Sequence, residues 1–516
     1  MKKKNYEKLF PLLLFFALLV AFKVDYRIVN EMKCCGDDFD YYSHAYTIAV
    51  DFDFDYSNQL TYGHSEVFYV NEKIAPLGFV GSGLLATPFM FLGNIFDNLN
   101  ENETVSNKLL FYSLSPIFYF FLAIKLLNKS LTILNKRTNM LFLILLFMGS
   151  GVTYYGFERF SMTHIYEIFT VSLIFYITTK INESDKKRTL YVALLPLSIC
   201  IGLLVRFTNY YLFLLPYLFT KLFFKNKKIF FSNNEKISFL ISSVFSMIIF
   251  YLLTVRVYGF FTLNPSTLYM DDSKFSNYIE KMENFINFIS YNLSSLSNIL
   301  FTQEFGLFWF SPILFFGTVS ILIFLLKKEF QVSFLIFVCF VQNFAVVIMW
   351  QSTASSYGFR YLFSLIPLSI ILFYSLEKEN YINIFKTYIL LFSILGALGV
   401  LFFESTESTQ LSLSPLVNSF GNEVLYSNPK YLSGLLDSIF KFEAITAVIG
   451  SSFLIASLFK IFMIFNIESD IIDLLPINLP QEFYSLLTKL EGIQNINFLF
   501  LLILFYYFSI GLIKNK

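Results

Sequence analysis

Apolar runs of about 20 residues recur along almost the whole chain, and each is long enough to cross a bilayer core of roughly 30 Å as an α-helix. A soluble chain cannot hide so many, so the repetition restricts the fold to an all-α, polytopic transmembrane helical bundle. Charge content agrees: 15% of the 516 residues are charged and 56% are hydrophobic, where soluble domains carry roughly a quarter charged residues. The first apolar run, Leu9 to Phe22, follows a basic N-terminal stretch and has no small-residue cleavage site after it, which predicts an uncleaved span. Further spans are expected at 76–96, 108–124, 139–155, 163–179, 189–205, 207–220, 237–258, 305–326, 332–350, 361–376, 383–403, 443–465 and 496–513. That makes about 12 to 14 spans in one transmembrane domain over residues 1–516.

Lysine sets the expected orientation. Clusters at 125–137, 180–188, 221–236, 327–328 and 378–386 alternate with lysine-poor connections at 156–164, 259–304, 351–360 and 404–440. By the positive-inside rule the first set is cytoplasmic and the second outward. A single crossing at 76–96 would invert this alternation, and the segment is rich in glycine and proline (Pro76, Gly78, Gly81, Gly83, Pro88, Gly93). A broken or re-entrant helix there restores the parity. The outer stretch 259–304 is expected to form short interfacial helices, and 404–440 an exposed connection. The net charge of +1 gives no field to steer nucleic acid. The cysteines Cys34, Cys35, Cys200 and Cys339 show no zinc spacing.

The longest polar break, within an outer loop at 24–75, concentrates the chemistry. Between Gly36 and Pro76 it holds Asp37, Asp38, Asp40, Asp51, Asp53 and Asp55 with His44 and His64. After Asp37 and Asp38 the pattern turns apolar at helical spacing (Tyr41, Ala45, Ile48, Ala49), which places the acids just before a juxtamembrane helix. A carboxylate there can act as general base toward a hydroxyl or help bind a divalent cation. The plain alternative is helix capping. A metal site from Asp37, Asp38 and His44 stays open, and the residues name no cofactor. Arginine adds a second signal. Arg27, Arg159, Arg206, Arg256 and Arg360 fall at outward loops or span ends, against the positive-inside bias. Guanidinium groups in that setting suit phosphate, or merely pair with nearby acids. A second polar group, Glu158, Arg159, His164 and Glu167, sits in the turn GFERFSMTHIYE.

These residues also carry a family resemblance. The chain resembles the GT-C superfamily of integral-membrane glycosyltransferases, near the protein mannosyltransferase and lipid A aminoarabinose transferase branches. The match rests on the first outer loop opening GDDFDYY, on the step Lys73, Pro76, Leu77, and on GLFWFSP (Gly306 to Pro312) with YGFRYLFSLIP (Tyr357 to Pro367). Together they cover residues 1 to about 400. The resemblance implies a sugar donor on a polyprenyl-phosphate carrier, a glycan, lipid or protein acceptor, and an active site facing outward from the membrane (the inner membrane if the chain is bacterial). It assigns Asp37 or Asp38 as the catalytic base and Lys73, Arg159, Arg206, Arg256 and Arg360 to the carrier phosphate. Tyr42, His44, His64, Glu158 and His164 become supporting or acceptor-side residues. Two other readings fit the same features: a transporter or flippase of a lipid-linked or anionic substrate, and a glycan polymerase or ligase. The first of these predicts ionisable residues at mid-bilayer and related halves, neither of which the sequence displays.

Overall fold

The computed structural model describes residues 36–60, 67–70, 73–76, 78–99, 107–136, 138–183, 187–224, 231–263, 280, 284–350, 357–377, 379, 382–412, 430–441, 445, 462, 466–467 and 470–472. The expected span at 9–22, the span at 496–513, nearly all of 443–465, Arg27 and His64 lie outside the described residues.

Helix α1 (Gly36–Tyr46) runs into a π-helical turn (Thr47–Asp51). Strands β1 (Val67–Val70) and β2 (Lys73–Pro76) pair antiparallel, from Val67 opposite Pro76 to Val70 opposite Lys73. Then come α2 (Gly81–Leu99), α3 (Asn107–Ile133), α4 (Met140–Met148), a π-turn (Tyr154–Glu158), α5 (His164–Glu183), α6 (Arg188–Val205), a 3-10 turn (Asn209–Phe213), α7 (Leu215–Phe223) and α8 (Asn233–Tyr258). The order continues with α9 (Phe285–Phe301), α10 (Leu307–Phe310), α11 (Pro312–Leu326), α12 (Phe330–Trp350), a 3-10 turn (Arg360–Leu365), α13 (Ile366–Ser375), α14 (Ile382–Ser412) and α15 (Leu432–Phe440). The protein is an all-α membrane bundle. Among the described residues, five helices are long and apolar enough to cross a membrane: α3, α6, α8, α12 through Met349, and α14 through Val400.

Local chemistry explains where the helices begin and end. Helix α8 opens with a reciprocal capping box, Ser232 taking the Glu235 N–H while the Glu235 carboxylate takes the Ser232 N–H, which satisfies two donors the helix leaves orphaned. It closes at Gly259, whose φ of 81° is left-handed and whose N–H returns to the Val255 carbonyl, an ending glycine adopts without strain. Pro312 starts α11, and Pro216 and Pro367 stand in the first turns of α7 and α13, where a missing N–H costs nothing.

The chain forms two compact units, Cys35–Met90 with Ser115–Leu398, and Phe91–Leu114 with the chain from Gly399. In the second unit Asp97 accepts the backbone N–H of Asn107 (2.7 Å) and Lys108 (3.2 Å), capping the start of α3. In the first, α6 packs against both α5 and α8, and α11 against α12 and α13. Helix α5 is buried along nearly its whole length. Helix α8 turns Leu240, Ile241, Met247 and Leu252 outward, an apolar face that fits lipid. The start of α2 is wedged between two neighbours. A Cβ on Gly81 would lie 2.3 Å from Leu204 backbone atoms, and one on Gly83 would lie 2.4 Å from the His44 Cβ. Small residues admit this backbone approach.

Several expected boundaries change. The segment 76–96 is not a broken helix: its proline- and glycine-rich beginning is strand and turn, and α2 then runs unbroken through Pro88. Residues 305–326 split at Ser311 into α10 and α11. Residues 207–220 and 361–376 each begin as a 3-10 turn before becoming α-helical. Among the described residues the stretch 259–304 includes a 17-residue helix, α9, and α14 carries on to Ser412 into the stretch expected as a connection. Hydropathy averages over a window and does not register a proline restarting a helix. Replacing Gly83 by valine should force α1 and α2 apart and lower stability by about 1–3 kcal/mol, read as a lower thermal midpoint in detergent.

Candidate functional site

Asp38 lies inside the first turn of α1 rather than before it. Asp37 occupies the same turn, placed by its backbone alone. The Asp38 side chain is fully buried, and its Oδ2 accepts from Arg159 Nε at 2.9 Å and from Nη2 at 2.5 Å. Its other oxygen, Oδ1, has no hydrogen-bond partner. Arg159 is 4% exposed. Burial works against its charge, the Asp38 carboxylate outweighs that, and the guanidinium pKa is raised.

The backbone that presents Arg159 is locally unusual. The π-turn Tyr154–Glu158 ends at Arg159, whose N–H returns to the Tyr154 carbonyl at 2.9 Å. Upstream, Gly151 has φ +80°, and a Cβ there would fall 2.2 Å from the Tyr357 ring, so no other residue fits. Tyr155 donates its hydroxyl to the Tyr357 carbonyl, and Tyr357 donates its own to Gly396 O, each at 3.0 Å. The loops before Arg159 and before Arg360 are thereby tied together.

The same loop continues into a second polar group. Met162 N–H returns to the Arg159 carbonyl at 3.1 Å. On the first turn of α5, Glu167 Oε1 gathers the Thr163 hydroxyl (2.8 Å), Arg206 Nη1 (3.2 Å) and His164 Nδ1 (3.4 Å). Glu167 Oε2 has no hydrogen-bond partner. Arg206 follows the end of α6 in extended backbone, and its guanidinium lies 4.2 Å from the Tyr361 ring centroid. Arg360 approaches the same ring at 5.2 Å and reaches Met162 Sδ at 3.9 Å. Tyr361 is therefore shared by two guanidinium groups.

The remaining expected residues divide. Arg159, expected at phosphate or paired with a nearby acid, pairs with Asp38; an acid this deeply buried needs a countercharge. Lys73 and Arg256 meet each other: Lys73 Nζ donates to the Arg256 carbonyl at 3.2 Å, and both side chains are exposed. His44 is buried with both ring nitrogens engaged, Nδ1 to Tyr56 Oη and Nε2 to the Gly78 carbonyl, each at 2.7 Å. A carbonyl only accepts, so Nε2 carries the hydrogen and Nδ1 accepts from Tyr56. That leaves His44 no nitrogen for a metal. Tyr258 Oη donates to the same Gly78 carbonyl at 2.9 Å. Tyr42 lies against Phe39 and Tyr46. Glu158 is placed by its backbone only, as the last residue of the π-turn. Among the described residues no three His, Cys, Asp or Glu side chains converge as a metal site requires. The residues that sequence reasoning missed are Tyr361, Thr163, Met162, Tyr56 and Tyr258. Tyr361 at least stood beside Arg360 in YGFRY; the others carried no signal.

No protein-family model matches the chain, and no curated protein does. Among solved structures it is similar to the oligosaccharyltransferase of Archaeoglobus fulgidus in the apo form, with 12% identity and a TM-score of 0.38 over 86% of this chain and 55% of that one. It is also similar to the oligosaccharyltransferase AglB of the same archaeon in complex with an inhibitory peptide and a dolichol-phosphate, with 12% identity and a TM-score of 0.34 over 89% and 56%. The chain spans about half the length of these two proteins. Likeness at this level speaks for neither activity nor site residues.

Arg159→Met strands the Asp38 carboxylate in the interior and should cost about 3–5 kcal/mol. The double variant Asp38→Asn/Arg159→Met should recover part of this, and a double-mutant cycle on thermal unfolding measures the coupling. His44 provides a pH test. Burial lowers its pKa from 6.5 to about 4, against the opposing effect of the Gly78 hydrogen bond. Above pH 6.5 the histidine is neutral whether folded or unfolded, and its contribution is fully present. Between 6.5 and 4 only the unfolded chain takes up the proton, so stability falls, by about 3 kcal/mol in all. Thermal midpoints at pH 7 and pH 4.5 read this loss, and His44→Gln should flatten it.

Proposed function

We propose that the chain is a membrane glycosyltransferase of GT-C type, moving a sugar from a polyprenyl-phosphate donor to a hydroxyl of a glycan, lipid or protein on the outward face. The observation that carries this reading is the division of labour between neighbouring polar groups. Arg159 fixes Asp38 through one oxygen and leaves the other without a hydrogen-bond partner among the described residues, while Arg206, after α6, and Arg360, before α13, flank Tyr361.

In this reading Asp38 Oδ1 accepts the proton of the incoming hydroxyl as its oxygen attacks the anomeric carbon. The bond from that carbon to the phosphate oxygen breaks, its electron pair leaves with the polyprenyl phosphate, and the anomeric configuration inverts. Arg206 and Arg360 stabilise the charge growing on the departing phosphate. Glu167 and Thr163 hold Arg206 in place, and Tyr361 keeps the two guanidinium groups apart. Asp37 is the second candidate for the base; the Arg159 pairing favours Asp38. Because Asp38 is closed off from solvent, the acceptor reaches it only after a local opening of the surrounding chain.

The test is incubation of the purified protein with a panel of polyprenyl-phosphate sugars, scoring release of the bare carrier phosphate. Asp38→Asn should lower transfer by about 10²–10⁴-fold, with Asp38→Glu partly active and thermal unfolding confirming that the variants fold. Full transfer by a folded Asp38→Asn would end the assignment.

A further inference from the structure

A cavity of about 490 Å³ lies between α4, the end of α13 and the start of α14. It is at the opposite end of α4 and of the Arg360–Ser375 segment from the candidate site, since both elements run from one to the other. Asn139, at its rim, immediately follows the lysine-rich stretch 125–137. Its walls are apolar (Phe142, Leu145, Phe373, Leu390), and its polar rim brings together Glu377 and Lys386.

The two charges are arranged in a definite sense. Glu377 stands just past the C-terminal end of α13, where the helix dipole already gives a negative potential. Lys386 stands near the start of α14, whose N-terminal N–H groups give a positive one. The Lys386 ammonium lies over the Phe142 ring, its Nζ 5.7 Å from the centroid, so the cation is held against the aromatic wall of the cleft. The neighbouring Lys327 is already bonded to Glu379. Among the described residues the cleft thus has one acid and one base in its lining, Glu377 and Lys386, with apolar walls between α4, α13 and α14.

We propose that this cleft binds a phospholipid with a zwitterionic headgroup bearing a primary ammonium. The phosphate lies toward Lys386 and the start of α14. The ammonium donates to Glu377 and to the terminal carbonyls of α13. One acyl chain follows Phe142, Leu145 and Leu390 into the bilayer. A quaternary ammonium cannot donate hydrogen bonds and fits less well. An anionic headgroup without an ammonium leaves Glu377 facing like charge. The assignment does not rest on the glycosyl-transfer reading, because none of these residues belongs to that site.

The test is native mass spectrometry of the delipidated full chain, offered equal amounts of phosphatidylethanolamine, phosphatidylcholine and phosphatidylglycerol with identical acyl chains. Phosphatidylethanolamine should be retained over the other two by about two- to fivefold, the range of a partly exposed ion pair. Glu377→Gln should abolish that preference while phosphatidylcholine binding persists. Lys386→Gln should weaken all three, and Leu145→Trp, which fills the cleft, should do so without altering charge. Equal retention of the three lipids, a preference for phosphatidylglycerol, or a preference that survives Glu377→Gln would each overturn the proposal.

Discussion

The contact between Arg159 and Asp38 is the constraint around which the candidate site is built. Two charges withdrawn from water cost several kcal/mol each, and only good geometry offsets that. The chain meets the demand with backbone rather than with more charge. A π-turn presents the guanidinium, a left-handed glycine makes room for Tyr357, and two tyrosine hydroxyls tie the neighbouring loops to carbonyl oxygens. The result is a carboxylate held at one oxygen and unpartnered at the other.

Much of the scaffold could be read from sequence because lipid imposes a simple rule on it. A long apolar run has to satisfy its own backbone, and helix does that. The span expected at 189–205 forms as Arg188–Val205, and that at 332–350 as Phe330–Trp350. What hydropathy misses is local. The 3-10 turns at Asn209–Phe213 and Arg360–Leu365 run directly into the helices they precede, so a hydropathy window averages across both. The β1–β2 ribbon is only four residues a side, too short to stand out in a helical chain.

The site was legible by residue type and not by partner. An aspartate early in the outer loop and arginines against the lysine bias drew attention for sound electrostatic reasons. Which arginine meets which acid depends on how segments 39 and 121 residues apart are folded together. Arg159 turned to Asp38, Arg206 to Glu167, and Lys73 to a backbone carbonyl. Tyr361 had only its place beside Arg360 to mark it, because aromatic residues make up 20% of this chain and one tyrosine among so many does not show its role.

The Gly78 carbonyl receives hydrogen bonds from both His44 and Tyr258, so α1 hangs from a main-chain atom. No substitution deletes a main-chain oxygen, and a side chain at Gly78 would strike Tyr41 first. Scanning mutagenesis reaches this anchor only through one donor at a time, with the other still in place. Single replacements therefore understate how much the helix bearing Asp38 owes to that oxygen; only removal of both donors together exposes it.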